Sequence, residues 1–243
     1  MSRTKRVSTF SLAVLVLCAA VVWAGAPQAG LTPDQALERL EKGNERFAAS
    51  RPVHPDLDTA RRTATARQGQ KPFAMVLGCS DSRVPVEHVF DVGLGDIFVV
   101  RVAGNVTYFD QAGSIEYGAE HLGANLLVVL GHTRCGAVAA VVNGAKEHGN
   151  IPALVAAIIP AVEKARAENP ALSGPELVDK AVEYNVRQSM EDLFRLSPSM
   201  RAMVKAGRVK VVGAVYDIKS GRVKWLGEHP RQAELLELTG GAS

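Results

Sequence analysis

Three short runs, Phe73–Leu77, Asp96–Arg101 and Leu126–Leu130, are apolar through their interiors and do not alternate with polar residues. A strand with one wet face alternates. A strand covered on both faces does not, which is the pattern of a parallel sheet between helices. Helical periodicity fills the intervals, as parallel connections require. Gly113–Gly123 reads as a helix burying Ile115, Ala119 and Leu122, and Gly136–Val142 is small and apolar, suited to close packing. Ile151–Glu168 and Glu176–Phe194 read as longer helices, the second opened by Ser173-Gly-Pro-Glu176 as a capping box. Val209–Val215 is a late strand, and Ser220-Gly221 turns the chain into Arg222–Leu226.

Upstream of the first strand, Thr32-Pro33-Asp34-Gln35 is a helix start, with Thr32 as N-cap and Gln35 at the capping-box position. Leu37, Leu40 and Phe47 form its apolar stripe, while Glu38, Arg39, Glu41 and Lys42 face water. Arg51–Gln70 is polar, with Pro52 and Pro55 at its start, and reads as a connecting arm and a helix. No internal repeat or low-complexity linker divides the chain. The expected fold is α/β: one domain over residues 27–243, with a mostly parallel sheet flanked by helices.

Residues 1–26 are a separate object. Arg3, Lys5 and Arg6 precede an apolar run from Phe10 to Trp23 and then Ala24-Gly25-Ala26, the layout of a secretory signal peptide. Cleavage is expected after Ala26 or Ala24; the alternative is an uncleaved anchor, against which stands a run shorter than the ~20 residues of a spanning helix. Periplasmic or secreted localisation follows, with no stable membrane insertion after cleavage. Removing the three basic residues lowers Lys+Arg from 28 to 25, against 25 Asp+Glu, so the exported chain is formally neutral. With aromatics at only 5%, nothing marks a nucleic-acid surface.

Of three cysteines, Cys18 leaves with the signal, so Cys79 and Cys135 remain. In an oxidising compartment they are able to pair as a disulfide. Their neighbours favour a metal: Cys79-Ser-Asp81-Ser-Arg83 and His132-Thr-Arg-Cys135 each follow an apolar strand, where open α/β sheets collect ligands. Two thiolates and an imidazole suit tetrahedral Zn2+ and leave one position free, the catalytic arrangement. Asp81 makes the count ambiguous, since it either binds zinc as a fourth ligand in a closed state or leaves the site open. Arg83, two residues on, is expected to hold the carboxylate as a bidentate pair beside the ion. There it accepts a hydrogen bond from zinc-bound water, whose pKa falls to about 7. Cys135 also precedes a helix start, where the dipole favours a thiolate. His54, His88, His121, His148 and His229 have no ligand spacing and read as surface or packing residues.

CxDxR followed by HxxC resembles the β-class carbonic anhydrases, and the likeness runs from about Leu31 to Leu226. The resemblance implies zinc held by Cys79, His132 and Cys135, and zinc hydroxide oriented by the Asp81–Arg83 dyad. The implied reaction is reversible hydration of carbon dioxide to bicarbonate and a proton. Gln70, nine residues before Cys79, matches the substrate-holding glutamine of plant-like members. The resemblance also implies a homodimer or homotetramer, with the helix from Thr32 embracing the partner and Gln70 facing a site completed by the other chain. Arg101 and Tyr216 match an inhibitory bicarbonate site found in some members, but Val76 stands where that site has tryptophan, which argues against such control.

Two other enzymatic or binding readings use the same residues. One is hydrolysis of carbonyl sulfide or carbon disulfide on this fold. The other is a zinc-stabilised binding protein without turnover, against which stand Asp81, Arg83 and Gln70. A disulfide oxidoreductase would be expected to carry CxxC, not cysteines 56 residues apart.

Overall fold

The computed structural model describes residues 30–240, so the signal-peptide reading of residues 1–26 lies outside them. In chain order the elements are α1 (Pro33–Ala48), α2 (Thr59–Gln68), β1 (Ala74–Gly78), α3 (Val86–Val89), β2 (Ile97–Arg101), α4 (Phe109–Glu120), β3 (Leu126–His132) and α5 (Gly136–Val142). Then come α6 (Ile151–Val155), α7 (Ile159–Glu168), α8 (Gly174–Leu196), α9 (Pro198–Lys205), β4 (Lys210–Tyr216), β5 (Val223–Gly227) and α10 (Gln232–Leu236).

The five strands form one sheet in the order β2-β1-β3-β4-β5. Every pairing is parallel except β4 with β5. All residues of β1 and β3 are buried, and alternate side chains enter opposite layers. Met75, Leu77, Leu127 and Val129 pack under α4, α5, α7 and α8. Val76, Leu126, Val128 and Leu130 pack against α1 and α3. The unbroken apolar runs are therefore two interleaved faces, each with its own helical cover.

The order reverses between β1 and β3. From β1 the chain moves outward to β2, then returns across to β3 and continues to β4. Such a reversal parts the loops at the carboxyl ends of the two strands and leaves a crevice between them. Gly131 keeps that region tight: a Cβ there would lie 2.7 Å from Val186 and 2.8 Å from Val182 of α8.

The capping box at Thr32 forms, with Gln35 N–H donating to Thr32 Oγ1 at 3.2 Å and Thr32 N–H donating to Gln35 Oε1 at 2.8 Å. The capping box expected at Ser173 does not form; Ser173 sits before α8 without a side-chain cap bond. Ser173 holds the N-cap position, its carbonyl accepting the Leu177 amide at 3.3 Å, but Gly174 after it adopts φ +52°, and with that left-handed first residue the serine side chain makes no cap bond. The single helix expected over Ile151–Glu168 is two, α6 and α7, joined by a 3-10 turn. Pro152 and Pro160 lack the amide a continuous helix needs. Leu122, expected to be buried, is half-buried past the end of α4.

α1 packs on its own chain through Ala36, Leu40, Gly43 and Asn44. Gly43 abuts the backbone of Phe90: a Cβ there would fall 1.8 Å from the Phe90 carbonyl oxygen. In a free helix Gly→Ala gains about 1 kcal/mol. Here the methyl must push α1 off α3, so Gly43→Ala is expected to destabilise by roughly 1–3 kcal/mol. A lowered urea midpoint checks this; a neutral or raised midpoint would show that α1 is seated elsewhere.

Candidate metal centre

Cys79 leaves the end of β1, His132 closes β3 and Cys135 precedes α5, so the crevice receives side chains from both strands at its rim. All three residues are buried, and their ligand atoms lie within 4.8 Å of one another. His132 Nδ1 lies 2.9 Å from the Thr133 carbonyl, which accepts its proton and fixes the tautomer. The opposite nitrogen, Nε2, is buried with no hydrogen-bond partner among the described residues. A lone pair left unmatched in the interior is costly unless something electrophilic meets it. Two sulfurs and that nitrogen are a donor set for a tetrahedral, borderline-soft cation, and zinc fits.

The two sulfurs lie within 4.8 Å and pull each other's thiol in opposite directions. The Cys135 thiol beside it, with the Gly104 and Asp81 amides, draws the Cys79 thiol well below its ordinary range against the effect of burial. The neighbouring Cys79 sulfur, together with burial, pushes Cys135 above the ordinary thiol range. The Gly104 and Asp81 N–H groups donate to Cys79 Sγ at 3.3 and 3.4 Å. Cation binding at this cluster would release the thiol proton that Cys135 retains, since thiolates are the ligands.

Asp81 is gripped by Arg83: Nε donates to Oδ1 at 2.9 Å, Nη2 to Oδ2 at 2.7 Å, and the Arg83 amide to Oδ1 at 2.9 Å. The guanidinium hydrogen bonds hold the carboxyl well below the usual carboxylate range, against a partial desolvation that acts the other way. Asp81 Oδ2 stands 3.8 Å from His132 Nε2. A carboxylate acceptor tied to arginine thus lies beside Cys79, His132 and Cys135.

Other residues hold these groups in place. Arg101, ending β2, donates from Nε to the Cys79 carbonyl at 2.9 Å and from Nη2 to the Asp81 carbonyl at 2.7 Å. Arg134 turns the His132–Cys135 loop with φ +57°, and its amide donates to Asp179 of α8 at 2.7 Å. Asn185, buried on α8, donates to the Gly104 carbonyl at 2.7 Å and so sets the turn whose amide meets Cys79. Asp179, Asn185 and the Gly104 amide escaped the sequence reading. The only available signal was a polar Asn185 within the apolar stripe of Ala181, Val182 and Val186.

The structure brings together Cys79, Asp81, Arg83, His132 and Cys135. Gln70 is not among them. It is exposed and precedes β1, at the opposite end of the strand from Cys79. Five residues of strand, about 16 Å, intervene. Val76 is buried within β1, and Tyr216, whose hydroxyl is pushed up by burial, ends β4 opposite His132.

Residues 74–223 match the family model described as carbonic anhydrase. Carbonic anhydrase 2 of Mycobacterium tuberculosis is 39% identical over 194 residues, covering 78% of this chain and 91% of that protein. Among solved structures, the β-carbonic anhydrase CafA of Aspergillus fumigatus is 30% identical with a TM-score of 0.66, over 84% of this chain and 94% of that one. A tetrameric β-carbonic anhydrase of Sordaria macrospora is 26% identical with a TM-score of 0.65, over 77% and 94%.

Proposed function

The chain belongs to the carbonic anhydrase family, in its β class, and from that premise we propose that it catalyses reversible hydration of carbon dioxide to bicarbonate and a proton. The observation that carries this reading is the buried triad of Cys79, His132 and Cys135, with the unmatched His132 Nε2 facing an arginine-clamped Asp81. Those three residues would hold zinc, and the ion supplies a Lewis acid that brings water into its ionising range near pH 7.

The remaining chemistry belongs to the chain. Asp81, kept ionised by Arg83, accepts the O–H of the attacking water, so that the oxygen lone pair is aimed at the carbon of carbon dioxide. Arg83 occupies both carboxylate oxygens and thereby opposes a swing of Asp81 into the fourth ligand position. Arg101 and Asn185 hold the backbone that carries the acceptor and the sulfur-directed amide.

Gln70 and Val76 are read as the signature of a plant-like member, with Gln70 holding substrate. One chain does not deliver Gln70 to its own cluster, so the reading needs a second copy to supply it. That favours a homodimer or homotetramer with the site at the subunit boundary. Gln70→Ala is then expected to lower kcat/KM about tenfold, the worth of one hydrogen bond, with metal content unchanged. Loss of metal in that variant would mean that Gln70 supports the fold instead. Residues 1–26 are read as an export signal, directing the chain to the periplasm or outside the cell. Recovery of exported protein that still begins at Met1 would count against cleavage. Among the described residues no helix is long and apolar enough to cross a membrane.

Stopped-flow hydration of carbon dioxide, with zinc measured on the same sample, tests the proposal. Fast hydration with about one zinc per chain is expected from three ligands and an open position. Full occupancy without hydration from neutral to alkaline pH would reject it.

A further inference from the structure

α8 serves two places at once. Asn185 reaches Gly104 in the metal centre, while Arg187, about 200° further round the helix, opens on a separate cavity of ≈ 180 Å³. Lys164 of α7 and His229 of the β5–α10 loop share that cavity, with Glu168, Glu191 and Arg231 around them.

The polar groups there do not balance. Glu191 Oε1 already accepts from Arg195 at 2.6 and 3.1 Å, and its Oε2 accepts from Arg231. Glu168 Oε2 accepts from the Tyr184 hydroxyl at 2.7 Å, and its Oε1 lies 3.9 Å from Lys164. Both carboxylates are thus engaged. His229 is buried, and its Nδ1 accepts the Arg231 amide at 3.1 Å, so the ring proton sits on Nε2 as a donor. Burial pushes the imidazole below its ordinary value; among the charges facing it, Glu191 raises it and Arg231, Arg187 and Lys164 lower it. Arg187 is half-buried and makes no hydrogen bond or ion pair among the described residues. A guanidinium partly withdrawn from water without a direct hydrogen-bond partner is unfavourable, and its planar fork matches the spacing of two oxyanion oxygens.

We infer that this cavity is a binding site for one small oxyanion, held by the Arg187 guanidinium, with His229 Nε2–H and the Lys164 ammonium as further donors. Its volume is several times the ~30 Å³ share of one water, enough for a phosphate- or bicarbonate-sized group. The inference does not depend on the reaction at the metal centre.

The test is calorimetric titration of the intact, metal-loaded protein with inorganic phosphate at constant ionic strength set by chloride, alongside Arg187→Gln and Lys164→Gln. Saturable binding of one phosphate per chain is expected, weakened roughly tenfold or more in Arg187→Gln with hydration rate unchanged. Lys164→Gln, at a more exposed position, should weaken binding less and keeps the test available if Arg187→Gln folds poorly. Displacement of phosphate by bicarbonate would identify the enzyme's own product as an occupant; phosphate binding that bicarbonate leaves intact would assign the site to phosphate-type ligands. Absence of saturable binding, or equal binding by both variants and wild type, would overturn the inference.

Discussion

Cys79→Ala is expected to leave the protein without stoichiometric zinc, to reduce hydration of carbon dioxide to background, and to lower the thermal midpoint. The sulfur has two duties. It is one of the three ligand atoms gathered in the crevice among the described residues, so its loss leaves a two-coordinate remnant. It also accepts the amides of Gly104 and Asp81, which alanine would strand. Each buried amide left unmatched costs about 1–3 kcal/mol, in addition to the stabilisation that metal binding contributes to the folded state. The sheet does not depend on the ion, since both faces of β1 and β3 are covered by apolar side chains. A folded but less stable protein is therefore expected. A chelator separates the two duties: it should lower the wild-type midpoint towards that of the variant and leave the variant unmoved. Full zinc occupancy in Cys79→Ala would remove Cys79 from the ligand set.

Sequence revealed most about the parts of this chain governed by burial or by local capping. The apolar runs at β1, β2 and β3 lie within a residue or two of the observed strands. β1 and β3 are doubly covered and so have no polar position to disguise them, whereas β2, expected to be covered on both faces, is a half-buried edge strand. Thr32 and Gln35 announced α1, since both partners of that capping box are local. Ser173 failed although its spacing was the same. Ser173 does sit at the N-cap, but the left-handed backbone at Gly174 is a conformation that spacing does not encode, and no side-chain cap bond forms there. α3, α9 and α10, of four, eight and five residues, are too short to show a period and are placed by tertiary packing.

At the metal centre the same distinction holds. The gathering of Cys79, His132 and Cys135 and the pairing of Asp81 with Arg83 were legible because zinc and carboxylate chemistry admits few residue types. Gly104, Asn185 and Asp179 act through backbone amides and carbonyls, which any residue carries, and only the folded chain shows which amide meets which sulfur. Gln70 was legible as a residue type, but its position at the far end of β1 appears only in three dimensions.

Asp81→Asn should separate chemistry from metal binding: zinc retained at about one per chain, and kcat/KM reduced roughly 10²- to 10³-fold. Metal content should survive because the carboxylate is held 3.8 Å from His132 Nε2 by Arg83 and is not needed to complete the three-ligand set. Activity should fall for two reasons. An amide presents one acceptor oxygen where the carboxylate presents two, and its NH2 group faces the Arg83 guanidinium, donor against donor. The fork therefore breaks or the amide flips, and either outcome moves the acceptor away from the line on which the attacking oxygen must be held. Arg83→Lys is the companion variant. It keeps the positive charge but loses the two-pronged grip, so an intermediate loss at unchanged zinc content would show that the geometry of the pair matters beyond its electrostatics. Full activity in Asp81→Asn would reject the dyad, and loss of zinc would convert Asp81 from an orienting acceptor into a ligand.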